Sequence, residues 1–152
     1  MILHSNLVDI KNRKIYPVFV SVEDGKIVNI SQTDKPCSTY ILPGFIDAHV
    51  HIESSMLTPY EFSRLALKHG TIATVSDPHE IANVLGIQGI EFMMNSASKT
   101  PFKFYFGAPS CVPATTFETS GAILDTQSVE KLLKQKNIYY LSFLDFISNF
   151  QP

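Results

Sequence analysis

The stretch 47-DAHVHIE-53 carries the densest set of reactive side chains in the chain. His49 and His51 stand two apart, with Asp47 two before them and Glu53 two after. Side chains alternate across a β-strand, so Phe45, Asp47, His49 and His51 share one face if this segment is extended. Ile46, Ala48 and Val50 then share the other, an apolar face suited to packing against helices. Two imidazoles spaced roughly 7 Å along one face of a strand can converge on a single cation. Zinc, manganese and iron(II) all accept imidazole together with carboxylate. A His-x-His pair on a strand also arises by chance, and spacing alone leaves both readings open.

Two further polar clusters follow. Asp77-Pro78-His79-Glu80 comes after the run TIATVS, and Ser110-Cys111 comes after FKFYFGAP. Asp77 and Glu80 have an ordinary alternative role, because acidic residues cap and stabilise helix N-termini. His69 closes a helical pattern, where a cation favours the dipole, and His4 is expected on the surface. His51-Ile52-Glu53 also matches half of the zinc nucleobase deaminase signature, which requires a later Pro-Cys-x-x-Cys. Cys111 is followed by Val-Pro-Ala, so that mechanism is excluded.

The elements that must position these clusters are legible. The chain has 152 residues, 45% hydrophobic and 17% charged, with net charge −2, enough apolar material for a core and no basic face for nucleic acid. Cys37 and Cys111 form neither a disulfide framework nor a Cys-x-x-Cys pair, and read as reduced thiols in a cytoplasmic protein. The N-terminus lacks a signal-peptide pattern, and no apolar run approaches the roughly 18 residues of a membrane span.

Residues 1–40 read as short strands. Asp24-Gly25 between two apolar runs predicts a hairpin turn, and Asn12 sits in the turn of a second pair over Leu7–Ile10 and Ile15–Phe19. From residue 41 to 152 strands and helices alternate, and Ile41–His51 reads as one strand. Thr58-Pro59-Tyr60-Glu61 predicts a capped helix start, with Phe62, Leu65, Ala66 and His69 on one face and Gly70 as the stop. Thr71–Ser76 is a strand, and residues 81–97 are helical with a break near Gly86. Phe102–Ala108 is a strand with Phe102, Phe104 and Phe106 on one face. Ser128–Lys136 is a helix with Val129, Leu132 and Leu133 inward, and Ile138–Ser142 is a strand. Alternation of this kind means parallel pairing, and every polar cluster falls just after a strand's C-terminus. Catalytic groups lie there in an α/β barrel and in a doubly wound sheet alike.

The string PGFIDAHVHIE resembles the first-strand motif of the amidohydrolase superfamily, metal-dependent hydrolases on a (β/α)8 barrel. HIESSMLTPYEF, ATVSDPHEIANVLGIQGIEFM and GAPSCVPATTFETSGA resemble the adenine deaminase branch more closely, in order over about residues 41–124. The resemblance implies an α/β fold: a small N-terminal β-sandwich segment over residues 1–40, then the first half of a TIM-like barrel over residues 41–152. It implies conversion of adenine and water to hypoxanthine and ammonia. The cofactor would be a binuclear centre of manganese or iron(II), with zinc as the alternative. His49 and His51 would be metal ligands. Glu53, Asp77, His79, Glu80, Ser110 and Cys111 would face the substrate, with Glu53 and Glu80 as candidates for proton transfer. The implied partner is a small molecule, with neither membrane nor nucleic acid, and intact members are expected to form homo-oligomers.

The same resemblance expects a Glu-Met-Met-Asn-like segment at the end of the fourth barrel strand, its glutamate bridging two metals. The chain reads LSFLDFISNFQP there, so the expectation is a truncated, inactive barrel produced by a frameshift or early stop. Asp145 and Glu130 are poor substitutes for the bridge. The alternatives are another amidohydrolase acting on a cyclic amide or amidine, and a non-enzymatic remnant.

Overall fold

The computed structural model describes residues 1–110, 112, 113, 115 and 117–142. It divides into two compact units, Met1–Pro43 and Gly44–Pro152.

The first unit is a four-stranded sheet built from β1 (Ile2–Asp9), β2 (Lys14–Glu23), β3 (Lys26–Gln32) and β4 (Tyr40–Ile41), in the order β3-β2-β1-β4. β1 and β2 run antiparallel, as do β2 and β3, while β4 joins β1 in parallel. Asp24 (φ 48°) and Gly25 (φ 73°) both occupy the left-handed region that a tight hairpin of this kind demands. At the β1–β2 turn, the Asn12 amide and side chain donate to the Asp9 carboxylate at 3.0 and 2.7 Å. Val18 and Val20 are the buried apolar residues of this unit.

The second unit alternates strand and helix: β5 (Phe45–Val50), a 3-10 turn (Ile52–Ser55), α1 (Pro59–Lys68), β6 (Thr71–Ser76), α2 (His79–Leu85), α3 (Ile87–Ala97), β7 (Lys103–Pro109), α4 (Thr126–Leu133) and β8 (Ile138–Ser142). Among its described residues, four strands pair in parallel in the order β5-β6-β7-β8. The spatial order follows the chain order without reversal. A doubly wound sheet reverses at a switch point, so this arrangement fits part of a (β/α)8 barrel instead. Ile52, Ile90, Met93, Phe106, Ala108, Leu132 and Ile138 belong to its apolar core. Among the described residues, no helix is long and apolar enough to cross a membrane.

Local chemistry explains the boundaries. The Thr58 hydroxyl accepts from the Glu61 amide at 3.5 Å, Pro59 opens α1, and Gly70 (φ 86°) follows its end. The Glu61 carboxylate takes its donor from Arg64 at 2.9 Å. Gly86 (φ 61°) separates α2 from α3, as a residue without Cβ strain can.

Four sequence-based expectations are corrected. Ile41–His51 is not one strand: Tyr40 and Ile41 pair with β1, and a new strand begins at Phe45 after Pro43, which has no amide to donate. The buried side of α1 is Pro59, Phe62, Ser63 and Ala66, while Leu65 is 52% exposed. Ser63 replaces it because its hydroxyl donates to the Tyr60 carbonyl (2.7 Å) and pairs with the Thr100 hydroxyl (3.1 Å), which satisfies a polar group in a dry position. Leu133 is exposed, and Leu132 is the fully buried leucine of α4. Phe102 precedes β7 and packs edge-on against Phe62, 6.3 Å between ring centroids.

Candidate metal centre

Parallel pairing puts the C-termini of β5, β6, β7 and β8 at one end of the sheet. His49 lies on β5 and His51 just beyond it. Asp77 follows β6, with His79 and Glu80 in the first turn of α2, and Ser110 follows β7. Cys111 and Asp145 lie outside the described residues.

Among the described residues β5 has a neighbour on one side only, and Phe45, Ile46, Asp47, Ala48 and His49 are all exposed. This differs from the expected apolar packing of Ile46, which is 61% exposed; Val50 does pack against the core. The Asp47 carboxylate accepts from the His49 amide at 3.1 Å and braces the loop it leads into.

The strand alternation does turn His49 and His51 toward each other. Their Nε2 atoms are 3.1 Å apart and their rings meet edge-on at 4.9 Å. His51 Nδ1 lies 2.9 Å from the Asp77 carbonyl oxygen. A carbonyl only accepts, so Nδ1 carries the proton and Nε2 keeps its lone pair. Fixing a ligating histidine by a hydrogen bond from its other ring nitrogen is the usual support for metal binding. Donors at about 2.1 Å from one ion, subtending an angle near 90–110°, stand about 3.0–3.4 Å apart. The His49–His51 separation falls in that range.

The His79 ring stands edge-on to His51, with centroids 4.6 Å apart. His79 Nδ1 is 3.5 Å from Asp77 Oδ2, an electrostatic contact too long for a well-formed hydrogen bond. The Asp77 carboxylate raises the His79 imidazole above its ordinary 6.5, against partial burial, which acts in the opposite direction. Asp77 is 5% exposed, and its Oδ1 has no hydrogen-bond partner among the described residues. One donor atom each from His51, Asp77 and His79 lies within 4.8 Å of the others. Two imidazoles and a half-satisfied buried carboxylate are a donor set that fits a divalent cation.

Glu53 and Glu80 tie the turn after β5 to the start of α2. Glu53 Oε1 accepts from the Ile81 amide at 3.3 Å, and Glu80 Oε1 accepts from the Ser54 hydroxyl at 2.6 Å. Asp77 is not the cap of α2: Pro78 occupies that position and offers no side-chain bond, so Glu53 serves an amide of the first turn from outside the helix. Burial pushes the Glu53 carboxyl above its ordinary 4.5, and the neighbouring Glu80 charge adds to the rise.

Sequence reasoning passed over Tyr140. Its hydroxyl donates to the Ser76 carbonyl at 3.0 Å, directly beside the strand end that carries Asp77. No local motif announces this, because it depends on an irregular register between β7 and β8. A groove of about 460 Å³ between α3 and the N-terminal halves of β7 and β8 is lined by Phe102, Phe104, Tyr105 and Tyr139. It lies away from the polar strand ends and has none of their chemistry.

The amidohydrolase family model matches residues 40–146 of the chain. The chain belongs to the amidohydrolase family. Its amidohydrolase segment therefore contains β5 through β8 and every described residue of the His49–His51–Asp77–His79 group. The chain is 65% identical over 142 residues to an adenine deaminase of Sulfurovum sp. (strain NBC37-1), covering 93% of this chain and 27% of that protein. It is 56% identical over 147 residues to an adenine deaminase of Borreliella afzelii (strain PKo), covering 95% and 27%. It is 49% identical over 142 residues to an adenine deaminase of Parabacteroides distasonis, covering 93% and 26%. The chain thus spans about a quarter of the length of these curated relatives.

Proposed function

We propose that this chain is the N-terminal part of a metal-dependent adenine deaminase, which converts adenine and water to hypoxanthine and ammonia. The observation that carries the reading is the 65% identity to an adenine deaminase across a segment that includes all the polar strand ends. The first unit is read as the opening of a small β-sandwich, and the second as the first half of the barrel.

His49 and His51 would hold the metal, with His51 kept in its ligating tautomer by the Asp77 carbonyl. The group they would hold is a divalent cation, manganese or iron(II) in preference to zinc and binuclear in the intact family, and the chemistry it would supply is a water acidic enough to give hydroxide near neutral pH. Glu53 is read as a proton carrier near the ring nitrogen and the leaving amine. Its raised pKa brings it closer to neutrality, where exchange in both directions is efficient. Glu80, Ser110 and Cys111 are assigned to the substrate side. The intact protein is read as a cytoplasmic homo-oligomer.

A chimera tests the reading: the matching segment of the Sulfurovum relative is replaced by this chain's residues. The expected result is formation of hypoxanthine and ammonia from adenine, lost with His49→Gln or His51→Gln. A folded, metal-loaded chimera that leaves adenine untouched would sink the proposal.

A further inference from the structure

We infer that Asp77 and His79 are themselves metal ligands, forming with His51 a three-residue cation site. This reassigns two residues expected on the substrate side. It rests on the metal-centre part of the preceding reading, through His51, but not on adenine as substrate.

Three independent features of the geometry support the site. The donor atoms of His51, Asp77 and His79 are mutually within 4.8 Å. Donors at about 2.1 Å from one ion, subtending about 90–110°, stand about 3.0–3.4 Å apart, so closure draws the widest of these separations in by about 1.5 Å, within the reach of side-chain rotation. Asp77 is more than nine-tenths buried, yet Oδ1 has no hydrogen-bond partner among the described residues. A buried carboxylate oxygen without a donor is costly, and a cation beside it removes that cost. The His79 ring is held edge-on to His51, at the same side of the loop, by the first turn of α2.

The positions are also braced. Asp77 contributes through its backbone as well, because its carbonyl fixes the His51 tautomer. Glu53 and Ser54 clamp the start of α2 through Ile81 and Glu80, which sets where His79 stands. The ligand classes, two imidazoles and one carboxylate, suit zinc, manganese, iron(II) or cobalt(II).

The decisive measurement is the imidazole 15N shifts of the wild-type chain with and without Zn2+. Direct ligation shifts the bound ring nitrogen by far more than proximity does. The expected result is large shifts at His51 and His79, with His4 and His69 unchanged. A His79 nitrogen that does not move overturns the inference. His49 reports separately: movement of His49 and His51 without His79 supports the His49–His51 pair alone, and movement of His79 and His51 without His49 supports this site alone. As a second readout, Asp77→Asn should weaken Co2+ binding at least tenfold and abolish the metal-induced rise in Tm. An Asp77→Asn chain that binds Co2+ as tightly as wild type overturns the carboxylate's role. If that variant fails to fold, the 15N shifts of the wild-type chain still decide.

Discussion

Tyr140 on β8 donates its hydroxyl to the carbonyl of Ser76 on β6, 3.0 Å away, across the intervening strand β7. Between β7 and β8 the register shifts: Phe106 faces Ile138, but the next residue, Gly107, faces Tyr140. One strand advances by two residues while its neighbour advances by one, as in a bulge, and the irregularity re-aims the side chain that follows. Tyr140 is thereby laid over Gly107 and reaches the strand that leads into Asp77.

Tyr140→Phe removes this hydrogen bond and leaves the ring. The expected loss is about 1 kcal/mol of stability, the usual net value of one intramolecular hydrogen bond. Urea denaturation monitored by circular dichroism checks it. A variant as stable as wild type would show that the Ser76 carbonyl is equally well served by water.

Gly107→Ala is expected to cost more. A Cβ at this position would meet the Tyr140 ring at 2.5 Å and also collide with the Ser142 hydroxyl. Overpacking of this kind costs about 1–3 kcal/mol. A double-mutant cycle with Tyr140→Ala should recover part of the loss, since truncation removes one of the two collisions.

Glu53→Ala removes the acceptor for the Ile81 amide and opens the N-terminus of α2. A lost cap costs typically about 1 kcal/mol. Amide hydrogen exchange should accelerate at Ile81, with little change in α4. Glu53→Gln retains a carbonyl oxygen and should restore most of the protection.

Asp125 caps α4 by accepting from the Ser128 amide at 2.8 Å, and hydrogen bonds from the Ser128 hydroxyl and then its amide hold the carboxyl below the ordinary 3.8. A carboxylate whose pKa is depressed by folding stabilises the fold fully above its unfolded value. The contribution is lost as pH falls through the folded value. Protection of the Ser128 amide should therefore hold above about pH 4–5 and decline below it. In Asp125→Asn the contribution of this position should be flat across that window.

Much of the framework was legible because it is written in local chemistry. Asp24-Gly25 needs positive φ at both residues, and both have it. Thr58-Pro59 opens a helix and Gly70 follows its end because capping and chain reversal involve neighbours along the chain. Thr71–Ser76 and Ile138–Ser142 are strands with the expected limits, since β-branched and aromatic runs suit a pleated surface. Leu65 and Leu133 were misplaced for a different reason. A helix can turn several apolar stripes inward, and which one is buried depends on what it meets.

The sequence by itself determined the alternating strands and helices, their turns, and the facing of His49 and His51, because these follow from periodicity and from residues within a few positions of one another. Only the tertiary structure decided that Asp77 stands buried beside His51 and His79, with one oxygen unserved among the described residues. Only it showed that Glu53 caps a helix it does not belong to, and that Tyr140 reaches past β7. These relationships join residues 26 to 64 positions apart. They depend on which parallel strands lie side by side and in what register, and a linear pattern does not encode that distance.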